Sequence, residues 1–463
     1  MKPDIRFRGS HYSARSLALQ VLADCRQHER FVQEILDRQL GDLLARQLSD
    51  ADRRLATHLA YGVLRRRGTL NALLRPFVTR RPDAVEPWLW DALHLGAYQL
   101  LLLTQVPVHA ALYETVELAA QFGRPAAKGF LNGVLRACAG LVTDDWVESP
   151  AANALPLEGG KYRRLARPVL PDPDRQPVEY YAKAFGLPIW LARRWLERFG
   201  RDEAFRLGFY FAGPAALTLR VNTLRSSREQ MLAALQQAGL TASPGELPLA
   251  IRLQGNANVR DLPGYAEGWF CVQDESSMKV AAALAPQPGW SILDLCAAPG
   301  GKTTHLAELL ANQGHILACD IDHQRLLTLR ELADRLGLTC IETICLDARK
   351  SDAPTGVFDA VLVDAPCSNT GVLGRRPEAR WRLGIEDVRQ LVHLQERLLR
   401  LAIDRVRPGG VIVYATCSIE PEENGELIQR LTAQGLPWRV EAEEWSRPGL
   451  PADGGYWVRL RRL

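Results

Sequence analysis

The chain has 463 residues, of which 47% are hydrophobic and 24% are charged; this composition is typical of globular proteins and excludes a wholly disordered chain. No apolar run approaches the ~18 residues of a membrane-spanning helix, and the first residues lack the apolar segment of a secretory signal. The basic excess lies in residues 1–290, which indicates either a polyanion-binding front part or a merely solvated, arginine-rich surface.

The front part of the chain, residues 13–140, is predicted to be almost entirely helical. Its apolar residues recur at helical spacing, and strand signals are absent. Gly123 and Gly140 follow the last two helical segments, where helix C-termini favour glycine. We therefore assign residues 1–145 to an all-α bundle.

The next segment, residues 146–178, breaks this pattern because it contains six prolines, and we predict a linker there. Residues 179–285 begin with two helical stretches and continue as strands around one helix, which predicts a small α+β module. The three predicted strands of this module span residues 216–224, 249–255 and 268–274.

From residue 286 to residue 463, short apolar, β-branched runs alternate with helical stretches. Such alternation predicts a Rossmann-like α/β domain with a mostly parallel sheet, whose ligands bind at the carboxyl ends of its strands. Residues 456–463 are predicted to add an antiparallel edge strand. The five parallel strands are predicted at residues 291–297, 315–321, 339–348, 358–367 and 411–418.

The nine cysteines include no CxxC pair and no Cys/His cluster at the spacing of metal ligands. This pattern favours reduced thiols and argues against both a disulfide scaffold and a structural zinc site. We therefore expect a cytoplasmic protein that binds neither a metal nor a membrane.

The segment LDLCAAPGGKTTH, residues 293–305, is predicted to run from a strand through a glycine-rich turn into a helix. Backbone N–H groups at Gly300 and Gly301 suit a polar or anionic ligand group. A phosphate-binding P-loop is excluded because Cys296 stands where that motif requires glycine, and the GxGxxG dinucleotide motif is absent. A nucleotide-like cofactor without a pyrophosphate fits best.

Three aspartates near the ends of successive predicted strands refine this cofactor. Asp320 is placed to accept the hydroxyls of a ribose, Asp347 to meet an adenine amino group, and Asp294 to orient the loop. Each aspartate alone also fits a turn or a helix cap, but the three together favour a ligand. S-adenosyl-L-methionine has free ribose hydroxyls, an amino-acid tail and no phosphate, and it is the predicted cofactor.

Cys367, in VDAPCSNTG, and Cys417, in YATCS, follow the fourth and fifth predicted strands. A cysteine there is often packing, yet two thiols beside a methyl donor suit methylation at C5 of cytosine. A thiolate adds at C6, C5 takes the methyl group, and loss of the C5 proton expels the thiol. Asp364 is placed to contact the N3 edge of the base. The residues leave the nucleophile undecided, because the Pro-Cys of DNA cytosine-C5 methyltransferases nominates Cys367.

Motifs in the second half of the chain resemble the Sun (Fmu) family of RNA cytosine-C5 methyltransferases, and two segments of the helical bundle resemble the NusB family. The combination resembles the bacterial enzymes that methylate small-subunit rRNA. The matching segments are DLCAAPGGKT (294–303), DAPCSNTG (364–371), RRPEARW (375–381), YATCSIEPEEN (414–424), VPVHAALYETVELA (106–119) and KGFLNGVLR (128–136).

The resemblance implies a role for each matching residue. Cys417 is implied as the nucleophile, Cys367 as the residue that assists release of the product, and Asp364 as a contact of the target base. Lys302 is implied to contact Asp364. The residues implied to bind S-adenosylmethionine are Cys296, Ala297, Ala298, Pro299, Gly300, Gly301, Lys302, Asp320, Asp347 and Asp364.

The basic stretch GRRPEARW departs from that family, which often has a histidine before the proline and an aspartate after it; Arg376 and Glu378 stand here instead. We expect its arginines to hold RNA phosphates beside a single-stranded or flipped-out base. A solvated basic loop is the alternative. The arginines concerned are Arg375, Arg376, Arg380 and Arg382.

Three functions follow for consideration. The leading one is methylation of small-subunit rRNA by a monomer, before ribosome assembly is complete. The second is the same chemistry on tRNA or DNA, which the NusB-like front part disfavours. The third is a non-catalytic RNA-binding factor with a decayed methyltransferase fold, which the intact Cys417, Cys367 and Asp364 oppose.

Overall fold

The structure is a computed structural model that describes residues 5–10, 12–27, 30–42, 44–45, 47–255, 257–347, 354–450 and 452–463. The chain divides into two compact units. They comprise Met1–Pro214 with Leu373–Arg382, and Ala215–Val372 with Leu383–Leu463. None of the helices in the described ranges is both long and apolar enough to span a membrane.

Most of the first unit is helical, as predicted, because its apolar residues recur with the period of an α-helix. Ser49 caps the longest helix of the bundle by accepting a hydrogen bond from Asp52 N at 3.1 Å. Trp88 is fully buried in the leucine-rich core. The helices are α1 Ala14–Gln27, α2 Val32–Gly41, α3 Asp50–Leu74, α4 Pro87–Leu101, α5 Val108–Gln121, α6 Lys128–Ala139, α7 Pro177–Phe185 and α8 Ile189–Ala212.

The segment expected to be a linker contains secondary structure. Strand β1 Val142–Val147 begins before it, in residues assigned to the all-α bundle, and strands β2 Ala154–Pro156 and β3 Tyr162–Leu165 lie within it. They form an antiparallel sheet in the order β1-β3-β2. Leu155 and Leu165 are buried in the apolar core of the helical bundle, and this burial stabilises strands that a proline-rich sequence does not predict.

The second unit begins with the strands and the helix of the predicted α+β module, but the two helical stretches expected to open that module form α7 and α8 and lie in the first unit. The elements of the module are β4 Leu217–Val221, α9 Arg228–Gln237, β5 Ala242–Pro244, β6 Ala250–Leu253 and β7 Phe270–Val272. The strands are antiparallel, in the order β5-β6-β4-β7. Strand β5 was not predicted because its three residues are too few to show an alternating pattern.

The rest of the second unit is a seven-stranded sheet with helices, which confirms the predicted Rossmann-like class. The strands are β8 Ser291–Asp294, β9 His315–Asp320, β10 Ile341–Cys345, β11 Phe358–Asp364, β12 Val406–Thr416, β13 Trp438–Ser446 and β14 Gly455–Arg462. The helices are α10 Glu275–Leu284, α11 Gly301–Leu309, α12 His323–Leu336, α14 Ile385–Arg405 and α15 Gly425–Ala433; the short α13 Ala379–Arg382 belongs to the first unit.

The sheet has the strand order β10-β9-β8-β11-β12-β14-β13, and its first five strands are parallel. The order reverses between β8 and β11, which is where open α/β sheets bind ligands. Strand β14 is antiparallel, as predicted, but it pairs with both β12 and β13 and is not an edge strand. The true edge, β13, escaped prediction because most of its side chains are exposed and it lacks an apolar run.

Candidate active site

The loop between β8 and α11 ends in a backbone conformation that favours glycine. Gly300 has a φ of 105°, and a Cβ atom there would lie 2.7 Å from Leu329 Cγ. The first N–H groups of α11 have no acceptor within the helix, so they give this end a partial positive charge. The strand, turn and helix are those expected for residues 293–305, and they lie at the reversal of strand order.

Asp320 borders the same loop from the end of β9. The residue is 5% exposed, and its Oδ2 accepts a hydrogen bond from Ala298 N at 3.1 Å. Its Oδ1 accepts one from Asp322 N at 3.0 Å, and a carboxylate has capacity for further donors. Asp347 lies two residues past the end of β10, not at its last residue, and it is half-buried.

Asp294, at the end of β8, supports the loop from inside the fold. It is 1% exposed, and its Oδ2 accepts a hydrogen bond from Thr303 Oγ1 at 2.8 Å. Burial raises the pKa of Asp294 to about 7; the hydrogen bond from Thr303 opposes this effect and the nearby Asp364 adds to it. The carboxyl therefore holds the first turn of α11 against β8.

Lys302 and Asp364 form an ion pair between the first turn of α11 and the end of β11. Lys302 Nζ donates a hydrogen bond to Asp364 Oδ2 at 2.7 Å, and the two side chains are 16% and 30% exposed. The contact that the resemblance implied is therefore present. It forms because β11 is the neighbour of β8 in the sheet, so the end of one faces the loop that follows the other.

The two cysteines meet at the ends of neighbouring strands. Cys367 Sγ and Cys417 Sγ lie 3.3 Å apart. Cys367 is buried and Cys417 is half-buried. The hydrogen bond with Cys417, together with burial, holds the pKa of Cys367 well above its usual value. Cys417 also lines a small cleft whose wall includes Lys302 and Tyr456.

Asn369 orients the second thiol, although the sequence analysis assigned it no role. Cys417 Sγ donates a hydrogen bond to Asn369 Oδ1 at 3.1 Å, and Asn369 Nδ2 donates to Cys367 O at 2.8 Å. The asparagine adopts a left-handed conformation with a φ of 59°, which asparagine tolerates better than most residues. Its amide therefore links the two cysteine-bearing segments.

Glu423 was also missed. Its buried carboxylate accepts hydrogen bonds from Ser368 and Ser418, the residues that directly follow the two cysteines. A signal was present, because both cysteine motifs have serine at this position and YATCSIEPEEN carries the acid. The sequence alone did not reveal that these groups meet.

Arg220, on β4 of the small module, contacts the start of α11, next to the loop that follows β8. The side chain is fully buried, and it donates hydrogen bonds to Gly301 O at 2.7 Å and to Glu308 Oε1 at 2.7 Å. A buried guanidinium paired in this way fixes the orientation of α11. No sequence pattern pointed to it, because an arginine within an alternating strand is ordinarily exposed.

The arginines of residues 374–382 lie in the first unit. Arg380 is buried, and its guanidinium donates hydrogen bonds to Arg65 O at 2.7 Å and to Phe185 O at 3.1 Å. Burial lowers the pKa of Arg380 to about 9. The prediction that Arg380 holds an RNA phosphate is wrong, because its Nη1 and Nη2 donate to main-chain carbonyls and the side chain is buried.

The other three arginines of this stretch are half-buried. Arg376 lies over the ring of Phe31 at 4.4 Å from its centre, and Arg382 Nη2 donates a hydrogen bond to Arg30 O at 2.6 Å. Glu378, which departs from the family pattern, is buried and accepts a hydrogen bond from Val32 N at 3.1 Å. RNA contact by Arg375, Arg376 and Arg382 therefore stays a prediction.

The strand order, the loop after β8 and the paired strand ends define a Rossmann-like methyltransferase domain. Within the described ranges, no group of three His, Cys, Asp or Glu side chains is arranged to hold a metal ion. Three family descriptions match the chain, in the same order as its structural parts. They are the NusB family over residues 12–140, the ferredoxin-like domain of RsmF/B-like methyltransferases over residues 187–260, and the 16S rRNA methyltransferase RsmB/F over residues 281–452.

Curated relatives match almost the whole chain. A probable ribosomal RNA small subunit methyltransferase B of Synechocystis is 36% identical over 94% of this chain and 92% of its own length. The ribosomal RNA small subunit methyltransferase B of Sodalis glossinidius is 36% identical over 97% of this chain and 98% of its own length. The chain therefore belongs to the ribosomal RNA small subunit methyltransferase B family, and it is an rRNA methyltransferase.

The fold recurs in a solved structure. "Crystal Structure of PH0851" has a TM-score of 0.79 with this chain, at 24% sequence identity, and covers 99% of this chain and 100% of that one. A likeness at this identity supports the fold alone. The fold and the NusB-like bundle predicted from the sequence are confirmed.

Proposed function

We propose that this protein transfers a methyl group from S-adenosyl-L-methionine to C5 of a cytosine in small-subunit (16S) rRNA. Cys417 attacks the base, Cys367 assists release of the product, and Asp364 contacts the N3 edge. The observation that carries the proposal is the 3.3 Å separation of the two Sγ atoms at the ends of neighbouring strands.

The residues of the loop fit S-adenosylmethionine. A Cβ atom at Gly301 would meet nothing nearer than Gln273 Nε2 at 3.9 Å, so a ligand can approach the backbone at the N-terminus of α11. Asp320 borders the loop with a carboxylate that can accept ribose hydroxyls. Residues 296–302, Asp320, Asp347 and Asp364 would hold the cofactor, which supplies an electrophilic methyl group.

The reaction requires one bond to sulfur and its later cleavage. The Cys417 thiolate adds to C6 of the cytosine, which raises the electron density at C5, and C5 then takes the methyl group. A base takes the C5 proton, the C5–H electron pair restores the C5–C6 double bond, and the C6–S electron pair returns to Cys417. The raised pKa of Cys367 keeps this thiol protonated, which suits donation of a proton to the departing Cys417 sulfur, 3.3 Å away, better than attack on the base.

Asp364 acts at the opposite edge of the base. Its carboxylate is held by the Lys302 ammonium at 2.7 Å, and the resulting pair can hydrogen-bond the N3 and amino edge of cytosine. Charge that develops on the ring during attack is stabilised by such a fixed polar group. Lys302 therefore orients the acid and balances its charge.

The family supports rRNA as the substrate. We propose that a monomer in the cytoplasm acts on small-subunit rRNA before the subunit is fully assembled, because the target base has to leave its stack to reach Cys417. Arg375, Arg376 and Arg382 would contact the RNA backbone. The basic excess of residues 1–290 supports a role of the front part in RNA binding.

The test is a transfer assay with labelled S-adenosylmethionine and either deproteinised rRNA, tRNA or DNA, followed by mapping of the methylated base. We expect 5-methylcytosine in small-subunit rRNA. Label in tRNA or DNA would favour those substrates. No transfer to any nucleic acid would favour a non-catalytic RNA-binding protein and contradict the proposal.

A further inference from the structure

A carboxylate lies behind both cysteine-bearing segments and has no part in the reaction proposed above. Glu423 is fully buried, in the short turn that precedes α15. Its Oε1 accepts hydrogen bonds from Ser368 N at 2.8 Å and from Gln395 Nε2 at 3.0 Å. Its Oε2 accepts hydrogen bonds from the hydroxyls of Ser368 and Ser418.

Through these partners, the Glu423 carboxylate is linked to both cysteine-bearing segments. Ser368 follows Cys367 and Ser418 follows Cys417, so one side chain holds the neighbour of each cysteine. The two serine hydroxyls also lie 3.0 Å apart. Removal of the carboxylate would take this acceptor away from four buried donors, which is costly in a buried site.

Two further contacts extend this network. Gln395, on α14, donates a second hydrogen bond to Pro366 O at 2.9 Å, next to Cys367. Thr370 Oγ1 accepts a hydrogen bond from Ile419 N at 3.0 Å. We call this set the Glu423 cluster; its members are Glu423, Ser368, Thr370, Gln395 and Ser418.

We propose that Glu423 is a positioning residue that sets the separation of Cys367 Sγ and Cys417 Sγ. Beyond the ends of β11 and β12, the main chain supplies few links of its own, among them Gly371 N to Cys417 O at 3.0 Å. The Glu423 cluster adds side-chain links from both cysteine-bearing segments to one rigid group. Attack and release both need the thiols at one base, and a misplacement of about 1 Å costs on the order of 100-fold in rate.

This inference rests on the proposed function for its kinetic consequence. Glu423→Ala should lower kcat about 100-fold while the KM for S-adenosylmethionine stays near the wild-type value. Glu423→Gln should recover most of the activity, because the amide fills the same space and serine hydroxyls can rotate to accept its N–H. Glu426→Ala, an exposed acid at the start of α15, is the matched control and should keep wild-type kinetics.

A second measurement needs neither RNA nor cofactor. Diamide takes two electrons and two protons from a thiol pair and leaves a disulfide, and mass spectrometry of the joined peptides reports the Cys367–Cys417 bond. We expect Glu423→Ala to lower the rate of disulfide formation about tenfold, because a disulfide tolerates little change in geometry. Glu426→Ala should form it at the wild-type rate.

The outcomes are separable. Equal rates of disulfide formation in Glu423→Ala and the wild type would overturn the positioning role, whether or not the protein methylates RNA. A wild-type protein that methylates no RNA would overturn the proposed function and leave the thiol measurement decisive for Glu423. If Glu423→Ala fails to fold, Ser368→Ala and Ser418→Ala each remove one link, and each should slow the disulfide; no effect from either would overturn the inference.

Discussion

Cys367 Sγ and Cys417 Sγ lie 3.3 Å apart, although fifty positions separate the residues in the chain. Strands β11 and β12 are parallel neighbours, and their register aligns Asp364 with Ala415. Each cysteine lies two or three residues beyond this aligned pair, so both thiols reach the same point past the edge of the sheet. Their environments differ, since Cys367 is buried and Cys417 is half-buried.

The two thiols should give opposite results when each is removed. Cys417→Ala should lower turnover by about 10⁴-fold or more, as for the loss of a nucleophile, and should form no covalent RNA complex. Cys367→Ala should accumulate a protein–RNA complex that resists denaturation, because attack proceeds while release is slow. Denaturing gel electrophoresis with labelled RNA measures both.

One experimental result would contradict this assignment of the two cysteines. If Cys367→Ala abolishes the covalent complex and Cys417→Ala retains it, the two roles are reversed. Cys345→Ala replaces an exposed cysteine near the end of β10 and serves as the control, with wild-type turnover expected. A change there would point to a general effect of losing a thiol.

The free energy of unfolding should fall as the pH rises, because the carboxyl of Asp294 is buried. Burial raises its pKa in the folded protein to about 7 from the usual 3.8, so between these values the folded state binds a proton that the unfolded state has released. The free energy of unfolding should therefore fall as pH rises through this window, and level off above it. Relative to Asp294→Asn, the wild type should lose about 3 kcal/mol between pH 5 and pH 8.

Urea unfolding of both proteins across this pH range measures the difference. Asp404→Asn, which changes an exposed carboxyl on α14, should follow the wild-type curve. Parallel curves for the wild type and Asp294→Asn would mean that the buried carboxyl is ionised throughout. The carboxyl that supports the loop through Thr303 would then be charged at every pH in this range.

Substitutions of Arg380 and Arg376 should have different effects, the first on stability and the second on RNA binding. Arg380→Ala removes a guanidinium that donates to several main-chain carbonyls, and it should lower the free energy of unfolding by about 3 kcal/mol or more. Arg376→Ala should leave stability near the wild-type value. If Arg376 contacts a phosphate, its loss should weaken RNA binding and reduce the salt slope by about 0.7.

Urea unfolding and RNA-binding titrations at several salt concentrations measure these effects. A stable Arg380→Ala protein with weakened, less salt-dependent binding would restore the phosphate contact that its burial excludes. An unchanged salt slope in Arg376→Ala would remove this residue from the RNA interface. The two variants therefore decide whether Arg376 and Arg380 contact RNA.

The sequence predicted those elements whose signals are local. Strands β8, β9, β11 and β12 appear as apolar runs, and their buried side chains account for this. The edge strand β13 was not predicted because most of its side chains are exposed and several are charged. The sheet of β1 to β3 was not predicted because its segment is rich in proline. Exposure and packing in these segments depend on neighbours distant in the chain.

The candidate site divides in the same way. The loop before α11, the three aspartates and the two cysteines were all identifiable, because motifs place each at the end of a strand. The Glu423 cluster and Arg220 were not, since each joins groups from segments far apart. Arg380, one of the arginines expected to contact RNA, is instead buried and donates hydrogen bonds to main-chain carbonyls.

The class of fold, the order of its parts and the residue types at the ends of its strands could be predicted from the sequence alone, because these depend on local periodicity and short motifs. The tertiary structure was needed to show that the two thiols lie 3.3 Å apart, that Glu423 joins the segments that carry them, and that Arg380 is buried. Strand register and the burial of charge are set by packing between distant segments, and no single stretch of sequence carries that information.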